Sequence, residues 1–440
     1  MLKQRPNVLF FFTDQQRWDT CGCYGQQLPV TPNLDRLAAE GVKFEYAFTC
    51  QPVCGPARAC LQTGKYATET GNYHNGMALP QDTKTIAHFF NENHYETAYF
   101  GKWHLASSAL HNFRQSPVPV NFRGGWKDEW IASDTLESTS HPYEGKMFDA
   151  NGNAKEFKDQ YRVDAQTDWV MEYLQNRKTT DPFCLFISYL EPHHQNDLNV
   201  SVGPDGSKEK FKDFQVPLDL EGEAGSWRAE YPDYLGCCNS LDHNLGRLIA
   251  ELKRQGIYED TLIVYTADHG SHFRTRNKEY KRSCHDGCTR IPMIVRGPGF
   301  KGGQTVTELA SLIDLPPTLL TAVGIDVPDY MRGNPLQRLA DGNVADWPQE
   351  VFIQISEDHN GRAIRTHKWK YEVVNVLEKY YLYTCDKYVE RFLYDLENDP
   401  HEKNNLVKDP RYQAIRRELA TTLGNRMAVI GEAFPVILPA

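Results

Sequence analysis

An α/β fold, a mostly parallel sheet sandwiched between helices with a smaller C-terminal α+β subdomain, is predicted by three observations. Short apolar runs recur at residues 8–12, 97–100, 183–190, 262–266 and 293–295. Segments with helical periodicity separate them, and from Trp347 onward the texture changes to shorter, more polar runs. Uninterrupted apolar runs mark strands covered on both faces, and their alternation with helices marks a parallel sheet.

The helical segments carry their own signals. Residues 31–40 place Leu34, Leu37 and Ala38 on one face and stop at Gly41. Residues 164–176 and 233–255 follow, the latter with Leu241, Leu245, Leu248, Ile249 and Leu252 at helical spacing before Gly256. Runs at 351–356, 369–376 and 380–383, then a charged helical stretch at 412–424, predict a short antiparallel sheet with one helix. The domain division is therefore 1–345 and 346–440. Residues 113–159, rich in Gly, Pro and Ser, predict a long loop on the substrate side.

A chain of 440 residues is long enough for a large core plus a smaller partner. Lysine and arginine total 48 against 58 aspartate and glutamate, a formal charge of -10, which argues against nucleic acid and anionic membrane as partners. The first apolar run, 7–13, is too short to span a bilayer and reads as a strand. Eleven cysteines, an odd number without zinc-finger spacing, read as reduced thiols, so a cytoplasmic location is expected.

Polar residues follow four of the predicted strands: Asp14, then Lys102, then His193, then Asp268 with His269. Open α/β sheets bind ligands at the carboxyl ends of their strands, so these distant residues converge. Pro56 suits the first turn of a helix, which puts Cys54 at a helix N-terminus, where free N–H groups welcome an oxyanion. A buried structural thiol is the bland alternative for Cys54, as a satisfied polar residue is for His104.

The stretch Cys54-Gly55-Pro56-Ala57-Arg58, with Thr63-Gly64-Lys65 after it, resembles the signature of the formylglycine-dependent sulfatases of the alkaline phosphatase superfamily, in their cysteine-type form. Gly101-Lys102-Trp103-His104, Pro192-His193, Lys281 ahead of Asp286-Gly287 and Arg290-Ile291-Pro292, and Tyr394-Asp395-Leu396 extend the resemblance from Asn7 to about Leu406. It implies an alkaline-phosphatase-like fold in which Cys54, oxidised to formylglycine by a formylglycine-generating enzyme, is the nucleophile. The hydrated aldehyde attacks sulfur with one hydroxyl and expels sulfate with the other. Arg58, Lys102, His104, His193 and Lys281 are the remaining catalytic residues that the resemblance implies.

Asp14, Gln15, Asp268 and His269, with the oxygens of a converted Cys54, are similar to the family's site for one divalent metal. Oxygen ligands suit calcium; the imidazole of His269 suits manganese or zinc. His194, His285 and His359 are further candidates for substrate contact, and selectivity is expected from residues 126–141 and from Glu357, His359 and Arg362. Arg274, Arg276, Lys278 and Arg282 form a basic cluster around Lys281 that reads first as a solvated face.

The function expected is hydrolysis of a sulfate ester, with a sulfated sugar expected from the polarity of the selectivity segments and a homo-oligomer left open. The alternatives are a phosphonate or phosphate ester hydrolase using the same formylglycine, and a non-catalytic binder of sulfated glycans.

Overall fold

The computed structural model describes residues 5–377 and 383–440. Strands β1 (Asn7–Asp14), β2 (Val42–Phe48), β3 (Glu96–Lys102), β4 (Glu129–Ser133), β5 (Ser140–His141), β6 (Glu144–Phe148), β7 (Ala154–Lys158), β8 (Phe183–Pro192), β9 (Thr261–Ala267), β10 (Met293–Arg296) and β11 (Gln304–Ser311) form one sheet. Its order is β11-β2-β10-β9-β1-β8-β3-β4-β6-β5, with β7 paired to β6. The centre, β9-β1-β8-β3-β4, is wholly parallel. Antiparallel pairs are confined to β10 and to the β5–β7 end.

The period-2 geometry of β1 feeds two separate cores. Val8, Phe10 and Phe12 face the side covered by the Cys54–Thr63 and Leu315–Ala322 helices. Leu9 and Phe11 face the side covered by Pro32–Glu40, Arg162–Asn176 and Trp227–Arg254. Register puts Phe10, Phe186 and Tyr99 side by side across β1, β8 and β3. Their rings stack at 4.6 and 5.2 Å between centroids, which fixes the three strands that end at the site.

The second sheet contains β12 (Glu350–Ile355), β13 (Gly361–Thr366), β14 (Trp369–Asn375), β15 (Lys387–Asp395) and β16 (Val436–Leu438), in that order. Its pairs are antiparallel except β15 with β16. The Gln413–Val429 helix buries Leu419, Leu423 and Met427 against Ile364, Tyr371 and Val373.

Three sequence expectations change. Residues 113–159 are not a plain loop: β4 joins the main sheet through buried Trp130 and Ile131, and β6 and β7 form a hairpin that buries Met147 and Phe157. The long helix begins at Trp227 and runs through Pro232, near enough to its N-terminus to disturb little of the hydrogen-bond ladder. β2 and β11 were not anticipated, because Lys43, Glu45 and Thr305 interrupt their apolar pattern. The expected strand at 380–383 falls mostly outside the described residues.

A buried charge network ties the two sheets together. Lys370 of β14 pairs with Asp286 and Glu402, and Arg365 of β13 reaches Asp286 at 3.3 Å. Lys370 is fully buried. Lys370→Met leaves the buried Glu402 without its cation and Asp286 with Arg365 alone, and should destabilise the fold by about 3–5 kcal/mol; the urea unfolding midpoint measures it, and an unchanged midpoint would discount the network.

Candidate active site

Four strand ends deliver the site. β1 ends in Asp14 and β3 in Lys102, while His193 follows β8 and Asp268 and His269 follow β9. Gly101 makes the approach of Lys102 sterically feasible: at φ +103°, a Cβ there would stand 1.9 Å from the Ser188 carbonyl oxygen of β8. Gln15 adopts a left-handed φ of 69°, and its N–H donates to Asp268 Oδ1 at 2.9 Å. That bond closes the ends of β1 and β9 over one another.

Cys54 is the first residue of its helix and is buried. Its sulfur lies 2.7 Å from Lys281 Nζ, 3.3 Å from His269 Nε2 and 3.5 Å from Asp14 Oδ1, with His104 near enough to help lower the thiol pKa. Burial pushes the thiol pKa up, but Lys102, Lys281 and His269 outweigh burial and hold it well below the usual thiol range.

Cations and carboxylates alternate around this atom. Arg58 Nη2 meets Asp14 Oδ2 at 3.0 Å and Asp268 Oδ2 at 3.5 Å, and its Nη1 donates to the Lys102 carbonyl and Ser188 Oγ. Lys102 Nζ lies 2.9 Å from Asp14 and 3.2 Å from Glu137. Burial raises the Asp14 pKa, yet Lys102, His193 and Arg58 prevail and keep it well below the carboxylate range. Burial and the neighbouring Asp14 push Asp268 up to about 6.

His193 donates from Nδ1 to the His194 carbonyl at 2.6 Å, since a carbonyl can only accept. Nε2 therefore presents a lone pair, 3.3 Å from the Tyr280 hydroxyl and 3.5 Å from Lys281 Nζ. Burial, with Lys102 and Lys281, lowers the His193 pKa below its ordinary value.

The residues fit a divalent cation. One ligand atom each from Asp14, Cys54, Asp268 and His269 falls within a 4.8 Å span. His269 Nδ1 donates to the Gly270 carbonyl at 2.8 Å, leaving the Nε2 lone pair toward the cluster. Among the described residues Gln15 Oε1 and Asp268 Oδ2 are buried with no hydrogen bond, Asp268 Oδ2 having only the 3.5 Å ion pair to Arg58, the state of acceptors that suit a metal.

The structure thus brings Asp14, Cys54, Arg58, Lys102, His104, His193, Asp268, His269 and Lys281 together, with Gln15 beside them. His194 lies one step out, stacked on Tyr280 and 3.2 Å from Glu230. His285 and His359 stand apart from the cluster. His285 is buried against Tyr394 and Phe392, and His359 pairs with Asp358 and Glu372; Arg362 pairs with Glu432. Arg276 and Arg282 are likewise engaged, by the 401–402 carbonyls and by Glu357. Sequence reasoning missed Glu137 and Tyr280; for Tyr280 the available signal was an aromatic adjoining Lys281.

A mostly parallel sheet with a buried, metal-competent cluster of carboxylates, cations and imidazoles at its strand ends has the alkaline-phosphatase-like fold and the site of an ester hydrolase. The sulfatase family model matches residues 6–325, and that of the N-sulphoglucosamine sulphohydrolase C-terminal region matches 278–428. The chain belongs to the sulfatase family and is a sulfuric ester hydrolase. It is 30% identical over 466 residues to the uncharacterized sulfatase YidJ of Escherichia coli (strain K12), covering 98% of this chain and 89% of that one. It is 25% identical to the N-acetylglucosamine-6-O-sulfatase of Bacteroides thetaiotaomicron, over 96% and 86% of the two chains. The crystal structure of the yidJ protein of Bacteroides fragilis superposes with a TM-score of 0.85 at 26% identity, covering 99% of this chain and 98% of that one. Among the described residues no helix is long and apolar enough to cross a membrane.

Adding calcium, manganese or zinc to chelator-treated protein should raise its thermal midpoint, a ligand at about 100 Kd contributing about 2.7 kcal/mol. Asp268→Asn should remove most of that gain. No shift with any of the three ions would reject the metal centre.

Proposed function

We propose that this protein hydrolyses the sulfate ester of a sulfated carbohydrate, with formylglycine at position 54 as nucleophile. The observation that carries the reading is the crowding of Lys281, His269, His104 and Asp14 around one buried atom at a helix N-terminus. As a thiol that atom is a poor catalyst for sulfur transfer; as an aldehyde hydrate it supplies one hydroxyl to attack sulfur and a second to release sulfate. A divalent ion held by Asp14, Gln15, Asp268 and His269 would lower the pKa of the attacking hydroxyl and polarise the ester. The carboxylate and amide oxygens suit calcium, and the imidazole suits manganese or zinc.

The protein's own groups do the rest. Arg58, Lys102 and Lys281 match the charges of Asp14, Asp268 and Glu137, so a bound divalent ion leaves net positive charge for the anionic ester. Arg58 orients Asp14 and fixes the Lys102 backbone. His104, whose Nδ1 is buried without a partner among the described residues, takes the proton of the second hydroxyl as the aldehyde re-forms. His193 takes up a proton at Nε2 beside the entering anion and delivers it to the departing alcohol, with Lys281 stabilising the same oxygen. A carbohydrate as the alcohol is supported by the N-acetylglucosamine-6-O-sulfatase relative. Residues 1–345 carry the reaction and 346–440 brace them.

Mass spectrometry of the peptide containing Cys54, from protein made with a formylglycine-generating enzyme, should show the thiol-to-aldehyde loss. Cys54→Ala should reduce kcat on sulfate esters by about four orders of magnitude or more while sulfate still binds. A phosphonate monoester turned over far faster than every sulfate ester would overturn the substrate class, and undiminished turnover by the variant would overturn the nucleophile.

A further inference from the structure

A cleft of about 700 Å³ opens where the β5–β7 end of the sheet meets the segment after β8, a size within the range of about 300–1,000 Å³ typical of ligand sites. Two of its lining residues touch groups that surround the site. Glu137 lines the cleft and holds Lys102 at 3.2 Å. Asn196 lines it and accepts from the Tyr280 hydroxyl at 3.4 Å, the same hydroxyl that lies 3.3 Å from His193 Nε2. The cleft therefore adjoins the catalytic cluster, one residue away through Glu137 and through Asn196 with Tyr280.

Its floor is an organised polar device. Asp197 takes 2.6 Å and 2.9 Å hydrogen bonds from His141 Nε2 and Gln195 Nε2, one on each carboxylate oxygen. Gln195 is itself fixed by the carbonyls of Glu137 and Ser140. His141 and Asp197 remain 50% and 54% exposed, so both can meet a ligand. A carboxylate pinned in place with lone pairs still free is suited to accept from paired hydroxyls, and an imidazole beside it adds a second polar edge.

Charge decides between two occupants. With Glu137 paired to Lys102, the remaining charged lining is Glu144, Glu156 and Asp197 against Lys146 and Lys158, an acidic excess of one. Such a wall repels a second sulfate and accepts uncharged hydroxyls.

We propose that this cleft binds the hydroxyl-bearing sugar next to the sulfated unit, with Asp197 and His141 as its specificity-determining residues. The inference rests on the carbohydrate sulfatase reading above. It makes the protein an enzyme of sulfated di- or oligosaccharides in preference to free sulfated monosaccharides, with the neighbouring unit unsulfated.

The test compares wild type, His141→Ala and Asp197→Ala holoenzymes on sulfated disaccharides derived from heparin, chondroitin and carrageenan, on the matching monosaccharides, and on 4-nitrophenyl sulfate. For the best disaccharide, KM should rise about tenfold in each variant, with kcat within about twofold. The monosaccharide and the aryl ester should be unaffected. Calorimetric titration with the desulfated disaccharide, which needs no turnover, should show about tenfold weaker binding to Asp197→Ala.

An unchanged KM and unchanged calorimetric affinity overturn the proposal. So does an equal loss on 4-nitrophenyl sulfate, which assigns the pair to holding the fold, and so does a wild type that prefers the monosaccharide. A wild type that cleaves no sulfate ester yet binds the disaccharide through Asp197 defeats the sulfatase reading alone.

Discussion

The ion pair between Asp14 and its two cations is the constraint on which the site depends. A carboxylate with no solvent exposure costs several kcal/mol unless it is paired, and Asp14 is held by Arg58 and Lys102 at 3.0 and 2.9 Å. Each partner comes from a different element: a helix after β2 supplies Arg58 and the end of β3 supplies Lys102. Satisfying that one buried charge brings the Cys54 helix, β1 and β3 to a common point. Cys54 lies one helical turn before Arg58, so the same pair that neutralises Asp14 also sets the Cys54 side chain beside it.

Much of this was legible in the sequence, for a physical reason. The central strands are buried on both faces, so β1, β8 and β9 read as unbroken apolar runs, and a polar residue at the end of such a run has few explanations other than a ligand site. β2 and β11 escaped notice because they are only partly covered and carry Lys43, Glu45 and Thr305. The hairpins of β5–β7 escaped because turn-rich composition there hides buried Met147 and Phe157.

Site residues followed the same rule. Asp14, Lys102, His193 and Asp268 were visible through their position after strands. His285 and His359 have equally suggestive sequence neighbours, but their side chains are taken by Tyr394 and by Asp358 with Glu372. Nothing local in the sequence tells which partner a histidine finds when a second sheet docks. Glu137 was hidden for the converse reason: it enters the cluster from a segment that shows no strand pattern of its own, through contact with Lys102.

The edge position of β5–β7 has an evolutionary consequence. These short strands pair only with one another and, through β6, with β4, so they hang from the rim of the sheet and contribute no side chain to the cluster around Cys54. Substitutions and insertions there can accumulate without disturbing the buried charges. What the cluster meets at its rim can therefore change while the buried charges that hold it stay fixed.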